Sequence, residues 1–76
     1  LTVGTRVRVT QNLNVRTGPG LQYPEIEDPD YPGYAPAGAL GTVIGGPSEA
    51  DGYIWWKIQY DAGFTGWSVE NGLEPL

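Results

Sequence analysis

The chain has no cysteine, no histidine and no methionine. Without cysteine there is no disulfide, no thiolate metal site and no cysteine nucleophile. Without histidine the commonest general base and a principal transition-metal ligand are missing. Positive charge is also scarce, four Lys and Arg against nine Asp and Glu, for a formal net charge of −5. Arg6, Arg8 and Arg16 place three of the four cations in the first twenty residues, which carry no acid. A polyanion partner needs a continuous basic face from which counterions can be released, and one N-terminal cluster set against so many carboxylates does not make one. Nucleic acid is therefore not an expected partner. No run of about twenty apolar residues and no charged-then-apolar leader is present, so neither a membrane span nor an address is expected.

Catalysis has little to work with. Ser48 and Ser68 are the only serines, neither has a histidine to activate it, and neither lies in a Gly-x-Ser-x-Gly elbow. Paired carboxylates such as Glu25 and Asp30 do glycosidase chemistry only when a deep cleft holds them across a sugar. Seventy-six residues make one domain, spanning 1–76, near the size at which burial only just offsets chain entropy. Such a domain is too small for a large enclosed active site. The expectation is a protein that is not an enzyme and needs no cofactor. Its start at Leu1, without Met, reads as a domain excised or processed from a longer protein.

What is present is a series of short strands. Val3, Thr5, Val7 and Val9 alternate with Gly4, Arg6 and Arg8, which predicts a strand burying three valines and exposing two arginines. Leu13 and Val15 alternate with Asn14 and Arg16, and Gly18-Pro19-Gly20 then stops the extended run. Gly41 to Gly45 is a short β-branched run. Gly46-Pro47-Ser48-Glu49-Ala50-Asp51-Gly52 reads as a loop joining two hairpin strands. Tyr53 to Tyr60 is the strongest strand, with Ile54, Trp56, Ile58 and Tyr60 on one face and Tyr53, Trp55, Lys57 and Gln59 on the other. Phe64 to Val69 and Leu73 to Leu76 complete it. Five or six short antiparallel strands and no helix predict an all-β, compact, barrel-like pair of sheets.

Between the second and third extended segments, Tyr23 to Pro36 carries four prolines, three tyrosines and four acids within Glu25 to Asp30. Prolines suppress regular ladders, which predicts a long, stiffened loop. Three roles are open to it. It is a solvated acidic cover over an edge strand, or a recognition surface built on rigid tyrosines, or a calcium site using Glu25, Glu27, Asp28 and Asp30, for which EF-hand spacing is lacking. Trp55 has two readings as well. On a face that is otherwise polar, its ring is either an apolar patch covered by this loop or a platform for a ligand, whereas Trp56 falls on the core face.

The run Leu13-Asn14-Val15-Arg16-Thr17-Gly18-Pro19-Gly20, the later Trp55-Trp56-Lys57-Ile58 and the closing Gly66-Trp67 together resemble the bacterial SH3 (SH3b) family, in order and across nearly the whole chain. The resemblance implies a small SH3-like barrel whose long first loop is the acidic Pro/Tyr segment. It also implies a non-catalytic module that targets an extracytoplasmic protein to the cell wall by binding peptidoglycan stem peptides or cross-bridges. On that reading Tyr31, Tyr34, Tyr53 and Trp55 form a stacking surface, and Asp28 and Asp30 pair with free amines of the wall peptides. The alternative is a protein-interaction module of a self-associating surface assembly. Pro29-Asp30-Tyr31-Pro32 then acts as a Pro-x-x-Pro ligand for a Pro-rich-peptide groove on another copy.

Overall fold

A computed structural model describes all residues, 1–76. Its strands are β1 (Arg6–Val9), β2 (Leu40–Ala50), β3 (Tyr53–Tyr60), β4 (Thr65–Val69) and β5 (Leu73–Pro75), with one 3₁₀ turn, Glu70–Gly72, before β5. All pairings are antiparallel, in one sheet of order β4-β3-β2-β1-β5. No helix is long and apolar enough to cross a membrane.

Alternation decides which side chains enter the core. Val7 and Val9 of β1, Val43 of β2 and Trp56, Ile58 and Tyr60 of β3 point to one side, where they meet Leu13, Val15, Ala35, Phe64 and Leu73. Aromatic packing is specific there: Tyr60 stacks on Phe64 at 5.1 Å, and Tyr31 meets the same ring edge-on at 5.2 Å. The buried hydroxyls are satisfied. Ser68 Oγ donates to the Asn14 carbonyl at 3.0 Å, which leaves Tyr60 as the donor in the 2.8 Å bond between the two hydroxyls.

Three local expectations are corrected. Val3 is exposed, because the Thr5 amide bonds back to the Thr2 carbonyl at 3.0 Å and this turn precedes the strand, which starts at Arg6. Ile54, on the expected core face, is also exposed; it lies beside the hairpin tip, beyond the reach of the core. The segment from Gly46 is not a loop. β2 runs on to Ala50, and only Asp51 and Gly52 turn, at φ 57° and 78°. A two-residue turn with both central φ values positive matches the right-handed twist of the strands it joins. Gly46 and Pro47 are absorbed by register shifts between Val43 and Ser48, where a residue without an amide hydrogen costs no ladder bond.

Residues 10–39, between β1 and β2, contain no strand but are pinned by isolated bridges. Leu13 and Ala35 exchange amide bonds at 2.9 and 2.7 Å, and Arg16 and Trp67 exchange a pair at 2.8 Å. The second pair covers the outer edge of β4. Gly66 permits it: a Cβ at that position would sit 2.7 Å from the Arg16 carbonyl oxygen and 2.6 Å from Val15 Cγ1. On its other side the same segment is held by the Thr17 amide to the Pro24 carbonyl at 2.9 Å and the Ile26 amide to the Val15 carbonyl at 3.0 Å.

Candidate functional site

The chain has a single surface cavity, of about 300 Å³, between residues 11–21, the start of β3 and the end of β4. That volume is at the lower end of ligand-binding clefts, enough for a few residues of a peptide. Its apolar lining comes from Leu13, Leu21, Tyr53, Trp55 and Val69. Its polar lining is Gln11, Asn12, Asn14, Asn71 and Arg16, so four of the chain's six carboxamides gather here. No acidic residue lines it.

Strand geometry explains how these groups converge. Trp55 pairs with Val69 across β3 and β4, and a directly opposed pair projects to the same side of a sheet. Tyr53 approaches Trp55 edge-on at 6.3 Å. Asn14 and Arg16 project opposite to the buried Leu13 and Val15, and the Arg16–Trp67 bridge sets that segment beside β4. The rim is tied to the hairpin tip through the Asp51 carboxylate, which accepts the Leu21 amide at 2.7 Å. Asn12 is fixed by accepting the Ala37 amide at 3.1 Å. Arg16 Nη1 donates to the Tyr23 carbonyl at 2.9 Å.

Of the six residues singled out from the sequence, Tyr53 and Trp55 line the cavity and the other four do not. Trp55 is only 2% exposed, with its indole N–H donated to the Ala50 carbonyl at 3.0 Å, so it is a packed wall rather than an open platform. Tyr31 is a structural group. Its hydroxyl accepts the Val15 amide at 3.1 Å and donates to Glu25 at 2.6 Å, while its ring packs on Phe64. Burial, reinforced by that hydrogen bond to Glu25, pushes the Tyr31 phenol up to about 12. Tyr34 is exposed and stands apart from the cavity.

Asp28 and Asp30 belong to a different end of the molecule. Asp28 accepts the Asp30 amide at 2.8 Å, and the Tyr31 amide bonds to the Asp28 carbonyl at 2.9 Å, closing a turn over Pro29 and Asp30. The Asp30 carboxylate lies against Gly63, in the turn after β3, whereas Tyr53 begins that strand. At about 3.3 Å per residue the two ends of β3 are roughly 20 Å apart. The acids therefore do not flank the aromatic cavity. This turn also places the Pro29 to Pro32 element in a chain reversal rather than the extended conformation that a Pro-x-x-Pro ligand adopts. No three or more acidic side chains converge anywhere in the chain in a cluster fit to hold a metal ion.

Sequence reasoning did not single out Gln11, Asn12, Asn14, Arg16, Leu21 or Asn71. The signal open to it was the outward parity of Asn12, Asn14 and Arg16 beside the inward Leu13 and Val15. No family model matches this chain, and neither does any curated protein or solved structure.

Proposed function

We propose that the chain is a non-catalytic bacterial SH3-type module whose sheet closes as an SH3-like barrel, and that it holds an extracytoplasmic protein to the cell wall by binding peptidoglycan peptides. The observation that carries this reading is the composition of the cavity. Carboxamides supply paired donors and acceptors that match peptide groups, and Tyr53, Leu21 and Val69 supply apolar contact for short side chains. The cavity lies where the Leu13–Gly20 run meets the Trp55-Trp56 strand, two of the three segments that carry the resemblance to the SH3b family. Closure of the sheet is supported by the Arg16–Trp67 bonds, which join the free edge of β4 to the segment that follows β1.

Aromatic contact then comes from Tyr53 and the wall formed by Trp55. Tyr31 and Tyr34 have no part in it. The test is retention on purified peptidoglycan sacculi. Tyr53→Ala and Asn14→Ala are expected to lower retention while leaving the melting temperature within a few degrees of wild type, since Asn14 is exposed and Tyr53 lies outside the main core cluster. Sedimentation of the protein alone, over a range of concentrations, tests the self-associating alternative. Failure of wild type to pellet with sacculi, together with concentration-dependent oligomers, would overturn the wall-binding reading.

A further inference from the structure

The charge pattern at the cavity is the reverse of the chain's. Net charge is −5, yet the only charged group lining the cavity is the Arg16 guanidinium. Arg6 and Arg8 are occupied by Asp61 and Glu74, whereas Arg16 forms no ion pair. Its one bond runs from Nη1 to the Tyr23 carbonyl, and Nε and Nη2 make none within the chain. The acids that neighbour this region along the backbone have other partners. Glu25, bridged to Arg16, accepts from Tyr31; Asp51 accepts from the Leu21 amide; and Glu70 accepts the Trp56 indole N–H at 3.0 Å.

A half-buried guanidinium with part of its fork unfilled is suited to a carboxylate, which it can engage through two parallel N–H···O bonds. The side chains of Gln11, Asn14 and Asn71 form no hydrogen bonds within the chain, so they are open to the amide groups that precede such a terminus. A free amine would meet a cation and no acid. Resting on the reading of the chain as a peptide-binding module, we propose that the cavity takes the free C-terminal carboxylate of a peptide, with Arg16 as its partner. Asn14 and Asn71 bond to the last peptide group, and the terminal side chain lies against Leu21 and Val69.

The experiment uses three soluble probes with the wild-type chain in calorimetry: acetyl-trialanine with a free carboxylate, the same peptide as its C-terminal amide, and trialanine amide with a free amine. The carboxylate form is expected to bind about tenfold or more tightly than the neutral form, and the cationic form weakest. Arg16→Gln is expected to abolish the preference. Arg16→Lys should restore part of it, because charge returns without the fork. Arg8→Gln, which removes the same unit of charge away from the cavity, should leave the preference intact. Equal binding of the carboxylate and amide forms, preference for the amine, or no binding by any of the three would each overturn the assignment. Sacculus pelleting run in parallel separates this failure from that of the parent reading. Retention on sacculi without discrimination among the peptides removes the carboxylate role alone, and discrimination without retention removes the wall target alone.

Discussion

Replacing the two adjacent tryptophans one at a time tests how the molecule is built around its cavity. Trp55 and Trp56 point to opposite sides of β3, and both are buried, 2% and 4% exposed. Only Trp56 belongs to the main core cluster; Trp55 forms the cavity wall. Truncating a buried Trp to Ala costs about 3–5 kcal/mol, through lost transfer energy and the void left behind. A domain of 76 residues at ~0.05–0.15 kcal/mol per residue has about 4–11 kcal/mol in all. Either truncation therefore removes a large fraction of the stability. At about 4–8 °C per kcal/mol, the melting temperature should fall by more than about 12 °C in both variants.

Conservative replacements separate packing from the polar handle. Trp55→Phe keeps most of the apolar volume and loses the bond to the Ala50 carbonyl, at the hairpin end where water can replace it, so about 1 kcal/mol is expected. Trp56→Phe loses a bond to the carboxylate of Glu70 and should cost more, about 1.5–3 kcal/mol. Circular dichroism melts and urea titrations of the four variants give the comparison. A Trp55→Ala protein that melts with wild type would refute the placement of this ring as a packed wall. A Trp56→Ala protein that does so would refute the side assignment along β3.

The remaining predictions concern pH, one glycine and the acidic turn. Burial raises Tyr60 to about 12 against the pull of its Ser68 bond, and Tyr31 is raised alike. Both contribute stability that is complete below about pH 10 and is lost as pH rises through about 12; urea titrations across that range should show it, and flat stability would refute the burial of these hydroxyls. Gly66→Ala should cost about 1–3 kcal/mol, because the added carbon meets the Arg16 carbonyl oxygen at 2.7 Å, and hydrogen exchange at the Arg16 and Trp67 amides should accelerate; wild-type exchange would contradict the bridge. The double variant Asp28→Asn with Asp30→Asn should bind sacculi as wild type does at low and high salt, since both acids sit at the far end of β3. A salt-dependent loss would return them to the binding surface.

Most of the fold is legible where a local rule has no competitor. Val7 and Val9, then Trp56, Ile58 and Tyr60, alternate along strands with one face toward the core, and period-2 reading places them correctly. Gly46 and Pro47 mislead because the same residues that mark a loop also mark a bulge. The local choice between them is made by Asp51-Gly52, which turns the chain five residues later and keeps β2 paired up to it. Val3 misleads for a related reason: the alternation continues through Gly4, but the Thr2–Thr5 turn ends the strand before the pattern does.

The cavity is less legible because it is assembled from segments far apart in the chain. Parity assigns Trp55 to the face opposite Trp56, yet nothing local says what covers that face. Cover is supplied by Leu21, held through its amide to Asp51 thirty residues away, and by Val69 across the β3–β4 ladder. The acidic run is dense in sequence, but density along the chain is not proximity to a ligand. Asp28 closes its own turn and Glu25 fixes Tyr31, so these carboxylates organise the segment that carries them. The inconspicuous carboxamides, spread over residues 11 to 71, converge because two bridges, Leu13–Ala35 and Arg16–Trp67, lay one extended run along the end of the sheet. Arg16 belongs to both arrangements: its backbone closes the β4 edge, and its guanidinium is left as the single charge on the cavity wall. The strand pairing that completes the fold thus also sets the electrostatic character of the site. A change that frees Arg16 from Trp67 should alter stability and ligand charge preference together, whereas a change of the side chain alone should alter mainly the second, at the cost of one bond to the Tyr23 carbonyl.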